Sequence, residues 1–261
     1  MLDTPCGDSR VHGERANGIR GQRCAQLNVV DHGTCKAAPF GAISVRRFVK
    51  INMAMPSRTH HRISAFVLLA FLCVHVTNHL LAVFGVEAHI AFMEVARRVY
   101  RAPMVEPVIL LAAAFQVMSG LWFVARGWRT RHGAVAWLQA ISGLYLAFFL
   151  LIHVGAVLHG RLVLALDTNF HFAAAGMHVP PFQFFFVPYY FLSLLALGAH
   201  LGCAIYWRLA AASDRMRRAA IVLPVLAGSA AAAVIVLSLA GKLYPVDVPA
   251  RYKASFALQT R

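Results

Sequence analysis

The stretch ISGLYLAFFLLIHVGAVLHGR, residues 141–161, decides how the chain is read. From Ala134 to Leu158 there is no Asp, Glu, Lys or Arg, and the only histidine is His153. A helix of this length crosses the hydrocarbon core, which needs about 20 apolar residues. Working outward, similar runs cover about 63–84, 105–125, 184–207 and 219–243. The 261 residues are 59% apolar and 13% charged, against roughly 45–50% and about 25% in soluble domains. Mean hydropathy is +0.63. The fold class is therefore an all-α integral membrane protein with five transmembrane helices. Barrel strands are excluded because the runs do not alternate polar and apolar residues.

Charge and cysteine use narrow the function. Twenty-five Lys and Arg against 10 Asp and Glu leave a net charge of +15. The excess lies in short segments between spans, where it sets orientation rather than binding nucleic acid. Arg46, Arg47, Lys50, Arg58 and Arg62, then Arg126, Arg129 and Arg131, then Arg208, Arg215, Arg217 and Arg218 share one side. This places the N-terminus in the cytoplasm of a bacterial-type inner membrane. Residues 1–60 hold no spanning run and read as a basic, disordered tail or a mis-assigned start, since Met53 and Met55 stand just before the first span. Residues 244–261 read as a C-terminal tail. Cys6, Cys24, Cys35, Cys73 and Cys203 form no CxxC pair, so this chain alone builds no iron–sulfur or zinc site.

Two outer connections have patterns of their own. Residues 86–101 space Ile90, Met93, Val95 and Val99 as an interfacial helix does. The segment 162–183 carries Asp167, Asn169, His171 and His178 among small and aromatic residues and is expected to fold over the outer mouth.

The first and third spans repeat one another at an offset of 78. Ser64-Ala65, Phe71 and His75 correspond to Ser142-Gly143, Phe149 and His153. Eleven residues make about three helical turns, so Ser, Phe and His share a face of each helix. Both helices run the same way, so His75 and His153 reach the same depth. An ionisable residue within a span is a functional candidate. Two imidazoles at matched depth on different helices suit the axial positions of a haem iron. His79 lies one turn beyond His75, and His159 falls at the helix end; the repeat selects His75 and His153. His200 lies in the fourth span, where the matching place in the second holds Gln116. It reads as a structural histidine, a quinone contact or a second haem ligand. His61, Arg62 and Ser64 at the cytoplasmic edge read as a quinone contact or as an orientation signal with a helix start. Glu106, just before Pro107, reads as a proton acceptor or as a carboxylate favoured by the helix dipole.

The segments HRISAFVLLAFLCVHVTNHLLAVFGVEA from His61, MVEPVILLAAAFQVMSGLW from Met104, ISGLYLAFFLLIHVGAVLHGR from Ile141 and YYFLSLLALGAHLGCAIYW from Tyr189 carry a resemblance. From about His60 to Leu243 the chain resembles the five-helix cytochrome b anchor of the succinate dehydrogenase and fumarate reductase family. That resemblance implies a haem-binding helical bundle whose outer haem b is held by His75 and His153. An inner haem would use the positions of Gln116 and His200, and the sequence departs from the pattern at Gln116. The resemblance also implies electron transfer between quinone and iron–sulfur and flavoprotein subunits on the cytoplasmic face, with no substrate chemistry in this chain. A haem-free membrane anchor or assembly module is the alternative.

Overall fold

The computed structural model describes residues 57–257. The residue 1–60 reading thus lies almost wholly outside the described residues. Five long helices are long and apolar enough to cross a membrane: α1 (Arg58–Leu81), α3 (Glu106–Gly127), α4 (Ala134–Leu162), α6 (Gln183–Arg208) and α7 (Asp214–Leu239). Three shorter ones complete the chain: α2 (Val86–Tyr100), α5 (Phe170–Ala175) and α8 (Ala250–Ala257). No strand occurs among the described residues. The protein is a multi-pass helical membrane protein.

Local chemistry starts and stops these helices. Ser57 caps α1 by accepting from the His60 amide at 3.2 Å, and Ser213 caps α7 through Met216 at 3.4 Å, each satisfying an end amide that has no intrahelical partner. Both helices therefore begin about a turn before the apolar runs at 63 and 219. Pro107 sits in the first turn of α3, where its missing N–H costs nothing. Gly85, at φ +118°, turns the chain from α1 into α2, a conformation that side chains strain.

The long helices pack in sequence around an interior. α1 lies against α3, α3 against α4, α4 against α6 and α6 against α7, while α7 returns to α1. α1 forms no backbone seam with α4 or α6. Phe66, Leu111, Leu151 and Leu223 are each more than 60% exposed, an apolar exterior that only lipid accommodates. The tightest seam joins α6 and α7 at small residues, as membrane interfaces do. A Cβ on Gly198 would stand 2.2 Å from the Pro224 carbonyl oxygen, and one on Gly228 2.4 Å from that of Leu194.

One end of the bundle is capped. Phe170, Ala174 and Ala175 of α5, Tyr252 of α8 and Val248 bury against Ile235, Val236 and Leu239 of α7. The 162–183 connection thus packs onto the bundle end, as expected. The 244–261 segment was read as a tail, yet it includes α8, with Tyr252 fully buried. α2 is helical as expected, with His89 and Met93 buried and Val95 and Val99 about two-thirds exposed.

Gly198→Ala and Gly228→Ala should each loosen the α6–α7 seam, with a loss of about 1–3 kcal/mol read as a lower thermal midpoint in detergent. Gly155→Ala, where a Cβ meets nothing within 4 Å, should leave that midpoint in place.

Candidate functional site

The repeat produces the same local geometry twice. Phe71 stacks on His75 with ring centroids 5.3 Å apart and planes inclined by 24°. Phe149 stacks on His153 at 5.0 Å and 14°. A phenyl ring one turn before each imidazole fixes its orientation. His75 and His153 then meet across the interior with centroids 5.8 Å apart, although the backbones of α1 and α4 form no seam. From metal–imidazole bonds of about 2 Å, two imidazoles on opposite sides of one metal have centroids roughly 6 Å apart. The observed separation is close to that.

Both rings open onto a cleft of about 90 Å³ whose wall includes His79, His89, Tyr100, Phe172, Tyr189 and Tyr190. Imidazoles follow one another along it: His79 is 4.8 Å from His75 and 5.0 Å from His89. Among the described residues no three His, Cys, Asp or Glu side chains gather as a metal-holding group. A bare zinc ion takes about four ligands. A pair of imidazoles instead suits a metal that would bring further ligands of its own, as porphyrin iron would. The residues present fit a haem.

The other residues singled out in the sequence lie elsewhere. His200 rests on Gly143, where a Cβ would come within 3.0 Å of its Cε1. Its Nδ1 donates to the Gln139 carbonyl at 3.1 Å, with the Ser142 hydroxyl at 3.4 Å. His61 donates from Nδ1 to Ser119 Oγ at 2.6 Å; the Ser119 proton is already given to the Phe115 carbonyl. Ser64 donates to Gln116 Oε1 at 3.2 Å. His61, Ser64 and Gln116 are therefore joined in the α1–α3 seam, and Arg62 is exposed beside it. Glu106 is paired with Arg161, binding α3 to α4. His159 is exposed, whereas His79 belongs to the cleft.

Sequence reading passed over His89 and Asn78. Asn78 Nδ2 donates to His89 Nε2 at 3.0 Å, both side chains buried. Their signal was present: His89 and Met93 are four apart on one face of α2, and Asn78 lies one turn after His75. Apolar spacing alone does not mark a buried polar pair.

No protein-family model matches the chain, and no curated protein or solved structure is significantly similar to it. Fold and site together define a five-span helical membrane protein with a paired-imidazole cleft.

Burial, and then the nearby His75, Arg97 and His171, bring the pKa of His89 from 6.5 down to about 4. Between those values the unfolded chain binds a proton that the folded one excludes. Stability is then full above pH 6.5 and falls as pH drops toward 4, by about 3 kcal/mol for this group. The thermal midpoint should decline across that window, and His89→Phe should flatten the decline; an unchanged slope would assign it to other groups.

Proposed function

We propose that the protein is a membrane cytochrome b that carries electrons between quinone and a soluble redox partner, as the anchor of a succinate dehydrogenase or fumarate reductase-like complex. The observation that carries this reading is the His75–His153 pair, 5.8 Å apart across an interior that the α1 and α4 backbones leave open. His75 and His153 would hold the iron of one haem b. When bound, that group supplies reversible one-electron chemistry at a fixed depth in the membrane.

The chain's own residues do the positioning. Phe71 and Phe149 set the two imidazole planes. The cleft wall of Ile152, Ala156, Val157 and Phe172 offers apolar surface to a largely apolar ring. α2 and α5 contribute His89, Met93 and Phe172 to the same wall, limiting water at the iron position. A single haem is favoured over two. Gln116 accepts from Ser64 and an amide is a poor iron ligand, so Gln116 and His200 do not make a second axial pair.

Orientation and partners follow from charge. The helix ends opposite the cap carry Arg58, Arg62, Arg126, Arg129, Arg131 and Arg208, the side assigned to the cytoplasm of a bacterial-type inner membrane. Iron–sulfur and flavoprotein subunits would dock there, and quinone would enter from lipid.

Purified protein should show a reduced-minus-oxidised b-type haem spectrum at one haem per chain. His75→Ala and His153→Ala should each abolish it, and His200→Ala should retain it. A folded protein that takes up no added haem would remove the reading.

A further inference from the structure

A second pocket, of about 290 Å³, shares no wall residue with the imidazole cleft. It sits where α6 begins and α7 ends, at the edge of the spanning region. Met177, Val187 and Ala240 give it apolar walls, and His178, Gln183 and Lys242 give it polar ones. Its size is near the lower end of the roughly 300–1,000 Å³ of small-molecule sites. Local chemistry places the three polar groups. Gly241, at φ +67°, closes α7. Its amide returns to the Ser238 carbonyl at 3.1 Å and that of Lys242 to Leu237 at 2.9 Å, a closure that folds the chain back over a helix end. His178 Nε2 donates to the Leu239 carbonyl at 2.8 Å. Gln183 stands in the first turn of α6.

Each polar group keeps an unused capacity. A carbonyl only accepts, so His178 carries its proton on Nε2 and, when neutral, keeps a lone pair on Nδ1. Gln183 Oε1 is buried without a hydrogen-bond partner, which costs about 1–3 kcal/mol. Lys242 is exposed and makes no salt bridge among the described residues. No described Asp or Glu lines the pocket. Two acceptors beside one unanswered cation suit a ligand with a single negative charge and neutral O–H donors. A phosphodiester with a hydroxylated head has both. A primary ammonium head would supply donors but set a second cation beside Lys242. A quinol would bring the donors but no charge for Lys242. Phe184 and Leu243, next in sequence to Gln183 and Lys242, are 78% and 44% exposed, apolar surface of the kind that acyl chains cover.

We propose that this pocket seats the head of an anionic phospholipid with a hydroxylated headgroup, of the phosphatidylglycerol kind. Lys242 meets the phosphate, Gln183 Oε1 and His178 Nδ1 accept from the head hydroxyls, and the acyl chains lie along Val187, Phe184 and Leu243. The lipid thus ties the start of α6 to the end of α7 at the membrane edge. The site goes beyond the electron-transfer reading and is independent of it, since no wall residue is common to the pocket and the cleft.

The purified chain, delipidated in detergent and titrated with lipids under native mass spectrometry, tests this. Phosphatidylglycerol should bind about tenfold more tightly than phosphatidylmethanol, which has the same charge and no hydroxyl, a difference worth one or two hydrogen bonds. Phosphatidylcholine should bind more weakly than either, and glycerophosphoglycerol, the head without acyl chains, more weakly than the whole lipid. Gln183→Leu should bring phosphatidylglycerol down to the level of phosphatidylmethanol, and Lys242→Gln should weaken both. Lys242 is exposed, so its variant keeps the test open if Gln183→Leu does not fold. Arginines at the other end of the bundle attract any anionic lipid, so the hydroxyl preference and its loss are the readout. Equal binding of phosphatidylglycerol and phosphatidylmethanol in the unaltered protein overturns the proposal. So does a preference that Gln183→Leu leaves intact, or an affinity that Lys242→Gln leaves unchanged. Glycerophosphoglycerol binding as tightly as the lipid assigns the pocket to a soluble phosphodiester and overturns the lipid as occupant.

Discussion

Hydrocarbon offers a polar side chain no water, so each one inside a span must find a partner in the protein or receive one from a ligand. The spans obey this almost throughout. Ser119 donates to the Phe115 carbonyl, Ser142 to Gln139, Ser193 to Tyr190 and Ser238 to Val234. These bonds bend back within the same helix and leave its outer surface apolar. Tyr145 and Tyr189 each donate across to the neighbouring helix, locking α4 to α6. His61 and His200 are satisfied in the seams. Against that background the imidazoles facing the cleft stand apart, and the contrast, more than the presence of histidine, singles out the site.

Helix packing explains how such a space persists. α6 and α7 meet at Gly198, Gly202 and Gly228, where backbone touches backbone. Contact this close leaves no slack, so the pair forms one wall. α4 is fixed to it by the tyrosine bonds, and α3 is fixed to α4 through Glu106 and Arg161. α1 is held from the sides, by α3, α2 and α7, and has no seam with the helices it faces. The two histidine-bearing walls are thus supported from behind rather than by each other.

The spans were legible because lipid imposes a length and a composition that soluble folding does not. Their ends were less so. Hydropathy finds the apolar run, while the helix begins where Ser57 or Ser213 caps it, among arginines and histidines at the membrane edge. The repeat carried most of the site: equal spacing of Ser, Phe and His placed His75 and His153 together and stacked each on its phenyl ring. Apolar spacing marks α2 as a helix through Met93, Val95 and Val99 but does not mark His89 as its buried residue. Only tertiary contact makes a histidine the buried residue. α8 was missed for a related reason. It is short and polar, and Tyr252 becomes a core residue only once α5 and α7 surround it.

The capped end follows from the same constraint. An open interior between α1 and α4 would admit lipid tails or water at its mouth, and backbone polar groups there cannot be left to hydrocarbon. Spanning helices cannot close that mouth because they run parallel to it. A short segment folded over the end can, and α5 does so with Phe170, Ala174 and Ala175 buried against α7. The lid is thus where polar chemistry returns to the protein: Asn169 caps α5, Arg97 gathers Glu94 and Asp167, and Asn78 of α1 reaches His89 of α2.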